Sequence, residues 1–182
     1  SKICAFLMLA ASAAGAAADA PPTLKLDDSV RPVRYAAELT VVPGEATFTG
    51  AISIDINLAH PASRIWLNGI GLHVKQASLG ENGREHRATV EPGNSDFFAL
   101  RFDAQIPAGA ARLHLDYSGE ISRRASAGIF EGDDAGNRYL LTQFESTDAR
   151  RAFPCFDQPD FKTPWRLTLH VRKEDGAFSN TP

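Results

Sequence analysis

The chain has 182 residues, 43% of them hydrophobic and 23% charged, which suits one globular domain and excludes a disordered segment. Lys and Arg number 19 against 22 Asp and Glu, a net charge of −3, so the basic surplus of a nucleic-acid binder is missing. A chain of this length buries roughly 70% of the surface its unfolded form exposes, so its core needs no metal or disulfide staple.

The extreme N-terminus carries the one apolar run long enough to consider as a span. Lys2 gives a short positive start, Ile3 to Leu9 and the following alanines an apolar core, and Asp19 ends the run. That is short of the roughly 20 residues a spanning helix needs. Ala16-Ala17-Ala18 and Ala18-Asp19-Ala20 both offer the small-x-small pattern that signal peptidase reads, and cleavage after Ala20 would leave Pro21 just past the bond. Residues 1–18 are therefore expected to be a signal peptide, with residues 19–182 exported to the periplasm or the extracellular space. No transmembrane span is expected after cleavage; a disordered Ala-rich tail or an uncleaved anchor are the alternatives. Removal of Cys4 with the signal leaves Cys155 alone, so no internal disulfide and no C-x-x-C metal pair can form. A lone Cys in an apolar stretch is expected to be buried and inert.

Period-two patterning follows. Tyr35-Ala37-Leu39-Val41 alternate with polar or small residues. Phe48, Gly50, Ile52, Ile54, Ile56 and Leu58 do the same, as do Leu113-Leu115-Tyr117 and Trp165-Leu167-Leu169-Val171. Each pattern puts one set of side chains inward on a half-buried strand. Between them stand turn markers: Pro43-Gly44, His60-Pro61, Asn68-Gly69, Asn82-Gly83, Pro92-Gly93-Asn94, Pro107 with Gly109, and Ser118-Gly119. Strands so punctuated predict an all-β sandwich or barrel. After the leader, no segment keeps a helical period for 10 to 12 residues, and only Thr147 to Phe153 reads as a short helix. No interior domain boundary is visible.

Catalytic motifs are scarce. There is no H-E-x-x-H, no G-x-S-x-G and no phosphate-binding G-x-x-x-x-G-K-[ST], and the five histidines are scattered. His114 and His170 fall between inward apolar residues, which predicts solvent-facing side chains. Gly128 and Gly132 around Ile129-Phe130-Glu131 read as strand-end turns. Arg123-Arg124 and Arg150-Arg151 are too few for a nucleic-acid track. Motif chemistry alone leaves a β-rich exported domain without a stated activity.

Residues 139–165 are more informative. Thr142-Gln143-Phe144-Glu145, then Thr147-Asp148-Ala149-Arg150-Arg151-Ala152-Phe153-Pro154-Cys155-Phe156-Asp157, with Pro159, Phe161 and Lys162, form one long motif. Together they resemble the end of the N-terminal β-domain in the M1 family of zinc aminopeptidases. Val30-Arg31-Pro32-Val33-Arg34-Tyr35 looks like that family's opening strand, Phe48-Thr49-Gly50 like its second, and Ser179-Asn180-Thr181-Pro182 like a segment near the domain's end. The resemblance implies a saddle-like β-sandwich over residues 19–182, incomplete at its C-terminal end, with an unpaired sheet edge. Gln158 stands where the family often has Glu, and Asp160 where it often has Ala.

In this family the Glu of the Gln-x-Glu motif holds the substrate's free α-amino group, and the Gln lines the pocket for the first side chain. The resemblance assigns those roles to Glu145 and Gln143. Strand alternation agrees with the pairing, because it puts Gln143 and Glu145 on one face and Phe144 on the other. A carboxylate suits an α-amino group, whose pKa of about 7.7 to 8.0 leaves it largely cationic near neutrality. Asp148, Arg150, Arg151 and Asp157, mixed charges beside aromatics and Pro154, are expected to form a structural ion-pair network. By the same resemblance, zinc and the general base belong to a following catalytic domain. This chain is expected to bind no zinc, to be inactive alone, and to act on peptides with a free N-terminus only together with that domain. The alternative is a non-catalytic exported β-sandwich, either a binding module or an interaction scaffold.

Overall fold

The structure, a computed structural model, describes residues 20–180. The expected signal peptide, residues 1–18, lies outside the described residues. Strands β1 (Val30–Thr40), β2 (Thr47–Leu58), β3 (Ala62–Asn68), β4 (His73–Glu81) and β5 (Arg84–Pro92) come first. They are followed by β6 (Phe97–Ile106), β7 (Gly109–Glu120), β8 (Gly128–Asp134) and β9 (Asn137–Gln143). A short 3₁₀ helix (Asp148–Arg151) and β10 (Trp165–His170) complete the order. The described residues contain no α-helix, and no helix among them is long and apolar enough to cross a membrane. The fold is all-β, as the alternating patterns predict.

Eight strands form one sheet in the order β10-β1-β2-β7-β4-β5-β6-β3, and β8 and β9 form a separate hairpin. The expected sandwich is realised as a single curled sheet that folds over at β5. The first half of β5 pairs with β4, Arg84 to Arg87 against Glu81 to Ser78. Its second half, Ala88 to Pro92, pairs with β6. A strand that changes partners part-way along makes a corner. Register irregularities at Pro32/Arg34, Ala62/Arg64 and Val74/Gln76 add local bends.

The core lies inside the curl and follows the period-two pattern. Phe48, Ile52, Ile54, Ile56 and Leu58 of β2 are buried, as are Leu113, Leu115 and Tyr117 of β7 and Tyr35, Ala37 and Leu39 of β1. His114 and His170 sit on the solvent side as expected: His114 lies beside Ser53 and Asp116, and His170 beside Glu38. The marker Asn82-Gly83 forms a two-residue hairpin loop with φ of +47° and +77°. This is the type I′ arrangement, whose twist matches that of the flanking strands. A second such loop, Ala135-Gly136, joins β8 to β9 with φ of +49° and +84°.

β10 departs from its expectation. It lies parallel to β1 at the sheet edge, and its alternating apolar side is only partly covered. Trp165 stacks on Tyr35 at 4.0 Å and Leu169 packs on the core, but Trp165 stays 42% exposed and Leu167 39%. One neighbouring strand covers less of an edge strand than the two that flank β2 or β7.

Candidate functional site

The motif Thr142-Gln143-Phe144-Glu145 begins on β9 and leaves it. Gln143 is the last strand residue and pairs with Gly128, the first residue of β8. Phe144 then turns in and meets Phe153 edge-on, with ring centroids 5.7 Å apart. Its carbonyl accepts from the Asp148 N–H at 2.9 Å, closing a turn over residues 144–148. Glu145 therefore stands on a turn and not on the strand, because Phe144 O is bonded forward to the 3₁₀ helix. The in-and-out order of the strand still carries over. Gln143 and Glu145 are both exposed and Phe144 between them is half-buried. The Glu145–Ser146 peptide is cis. Neither Gln143 nor Glu145 spends its side chain on a hydrogen bond or ion pair with another described residue.

The turn hangs on a segment that is fastened to the sheet at several points. Ile70 N–H donates to Arg150 O at 2.9 Å, and the Tyr117 hydroxyl donates to Ala152 O at 2.9 Å. Cys155 forms a two-way backbone bridge with Asn68, at 2.8 and 3.1 Å. Phe156 N–H donates to the Tyr35 hydroxyl oxygen at 3.0 Å, and Asp157 N–H to Asn68 Oδ1 at 2.9 Å. Burial pushes both tyrosine hydroxyls upward in pKa, so they stay neutral and keep these roles. Burial likewise pushes the Cys155 thiol up, with Asp157 adding to the effect. The thiol is buried, as the sequence predicts.

The expected network of four charges divides into two groups. Arg150, nearly buried, donates from Nε to Asp157 at 2.9 Å and from a terminal nitrogen to Asp96 at 3.4 Å. Arg151 pairs with Asp148 at 2.7 Å on the surface. Asp96 is the member that sequence reasoning misses, since it sits in the β5–β6 connection far from the motif. Tyr35 and Tyr117 read as inward strand residues and Asn68 as part of a turn marker, and their fastening role is also missed. The available signal was chemical: a buried tyrosine hydroxyl usually finds a partner.

Among the described residues, no group of three or more His, Cys, Asp or Glu side chains converges to hold a metal ion. The His–carboxylate contacts His86–Glu81, His114–Asp116 and His170–Glu38 are pairs, short of the four ligands zinc usually takes. Among the described residues no set fits zinc, the metal that the motif's resemblance implies for a following domain. A cavity of about 670 Å³, lined by Ile70, Glu120, Arg123, Arg124 and Arg151 among others, includes neither Gln143 nor Glu145. The pair lies on open surface.

Residues 31–182 match the peptidase M1 N-terminal domain. The chain belongs to this family. Aminopeptidase N of Acetobacter pasteurianus is 34% identical over 163 residues, covering 87% of this chain and 45% of that protein. Aminopeptidase M1-C of Oryza sativa subsp. japonica is 32% identical over 154 residues, covering 83% of this chain and 18% of its own length. Aminopeptidase M1-D of the same plant is 31% identical over 172 residues, covering 93% of this chain and 20% of its own. This M1 N-terminal domain thus spans less than half the length of each of these relatives, and its curled all-β sheet is consistent with the domain the family model describes.

Proposed function

We propose that this domain supplies the substrate anchor of an exported zinc aminopeptidase, periplasmic or extracellular, that removes N-terminal amino acids from peptides. Glu145 holds the free α-ammonium group, and Gln143 lines the pocket for the first side chain. One observation carries the reading: Glu145 is an exposed carboxylate with no cation partner among the described residues, beside Gln143, on a turn tied to the core. The names of the relatives, all aminopeptidases, point the same way.

The chemistry is that of a charge-assisted hydrogen bond. An α-ammonium on Glu145 contributes about 1.5–3 kcal/mol, which an internal peptide nitrogen cannot match. Gripping the terminal amine also sets how far into the enzyme the first peptide bond reaches, and that distance makes an exopeptidase. Zinc and the proton-transfer groups are assigned to a catalytic domain outside this segment, and the chain alone is expected to be inactive.

Glu145→Ala in the full-length enzyme should lower kcat/KM for free-amine substrates about tenfold or more, the loss of ~1.4 kcal/mol upward. Glu145→Gln should retain part of the loss, since it keeps an acceptor without the charge. Unchanged kinetics in both variants would remove Glu145 from the site.

A further inference from the structure

We propose that Gly128 is a positioning residue for the Gln143–Glu145 pair, through a contact that only a residue without a side chain permits. This rests on the anchoring role given to that pair above. Gly128 opens β8 with φ of +65°, and its backbone pairs with Gln143. A Cβ at this position would stand 2.7 Å from the Cβ of Arg151 and 3.5 Å from its Cδ. Carbon atoms pack best at about 3.5–4.0 Å, so a methyl here forces a displacement.

The direction of that displacement follows from what holds Arg151. On one side the carbonyl of Arg150 accepts from Ile70, and its guanidinium is nearly buried against Asp157 and Asp96. On the other side the carbonyl of Ala152 accepts from Tyr117. Arg151 itself is drawn to Asp148 at the head of the 3₁₀ helix. The helix is thus pinned to the sheet. β8 is tied too, through Ile129 and Glu131 to Ser122 and through Glu131 to Gly44, so the give falls on Gly128, the strand's first residue, ahead of those ties. Moving Gly128 moves Gln143 with it, through their pairing. The turn from Phe144 to Thr147 spans the gap between Gln143 and the helix, so it absorbs the whole shift. Gly128 therefore gauges the separation of the two ends of the turn that carries Glu145.

Two arms test this. In the 182-residue chain, Gly128→Ala should shift the backbone amide resonances of Phe144 to Arg151. In the full-length enzyme it should lower kcat/KM for free-amine substrates about tenfold, with a smaller loss for substrates lacking the α-amine. Adding Arg151→Gly removes the opposing Cβ and should restore most of both readouts. Adding Arg151→Ala removes the same guanidinium but keeps the Cβ, and should restore neither. Gly132→Ala on the same strand, whose new Cβ would meet only Leu141 Cδ1 at 3.7 Å, should leave both unchanged. Unmoved amides in Gly128→Ala, or equal rescue by Arg151→Ala and Arg151→Gly, would overturn the proposal. The amide shifts judge the contact without reference to catalysis, and Glu145→Ala judges the anchor. A strong Glu145 effect with an inert Gly128→Ala therefore removes Gly128 alone, whereas an inert Glu145→Ala removes the anchor.

Discussion

The eight-stranded sheet and the segment that carries the Gln143–Glu145 turn are held by different means. β2 and β7 pair over twelve consecutive positions, from Thr47 opposite Glu120 to Leu58 opposite Gly109. Every step repeats the same ladder and the same inward or outward choice, so one lost contact leaves neighbours doing the same task. Residues 144–157 have no such ladder. They are held by a few bonds of different kinds: Arg150 to Asp157 and Asp96, the Tyr117 and Tyr35 hydroxyls, the Asn68 side chain, the Ile70 N–H and one Asn68–Cys155 backbone bridge. Repetition makes the sheet tolerant, and the absence of repetition makes the segment sensitive to single substitutions at positions away from Glu145.

The largest break in that comparison is expected at Arg150. Arg150→Ala leaves Asp157 without its nearly buried partner, and loss of one member of such a pair costs about 3–5 kcal/mol. Urea unfolding measures it; a cost below ~1 kcal/mol would mean that the segment is held by the sheet ladder after all. Tyr117→Phe should be smaller, about 1–2 kcal/mol, because it deprives the Ala152 carbonyl of its donor while keeping the ring. Tyr35→Phe should cost a similar amount by orphaning the Phe156 N–H. If either phenylalanine variant is as stable as the parent, that tyrosine hydroxyl is not a fastener.

The smallest effect is expected on the solvent side of the sheet. There the Arg112 guanidinium bonded to Asp55 holds its carboxyl below the usual range, and Arg34 adds to this. A carboxyl lowered by folding contributes stability above its unfolded pKa of about 3.9, and that contribution fades as pH falls through the folded value. Asp55→Asn should therefore flatten the acid limb of the stability curve below about pH 4 and change stability near neutrality by under ~1 kcal/mol. A loss at neutral pH as large as that of Arg150→Ala would erase the distinction between the two regions.

The same contrast explains what could be read from the chain. The inward residues of β1, β2 and β7 are legible because a strand side chain's face depends on residues one and two positions away. Asn82-Gly83 is legible for the same local reason, whereas Ala135-Gly136 makes the same turn with an alanine that sequence rules do not single out. Gln143 and Glu145 stand out through a long contiguous motif. Asp96, Asn68 and the two tyrosine hydroxyls do not, because their roles depend on which distant strands the curl brings together. β10 is read halfway: its alternation is local, but its incomplete cover follows from its place at the edge.

That edge also orders events in time. β10 lies parallel against β1, Trp165 opposite Tyr35, and the Phe156 N–H meets the Tyr35 hydroxyl across 121 residues of chain. A contact so distant in sequence forms only after a long loop has closed, and chains emerge from the ribosome N-terminal end first. β1 is thus made early, while its aromatic partner and its parallel neighbour arrive only after β2 to β9. The turn bearing Glu145 lies between them and cannot be fastened by β8 and β9 alone. During synthesis that turn therefore takes its final place only after Phe156 has reached Tyr35 and β10 has paired with β1.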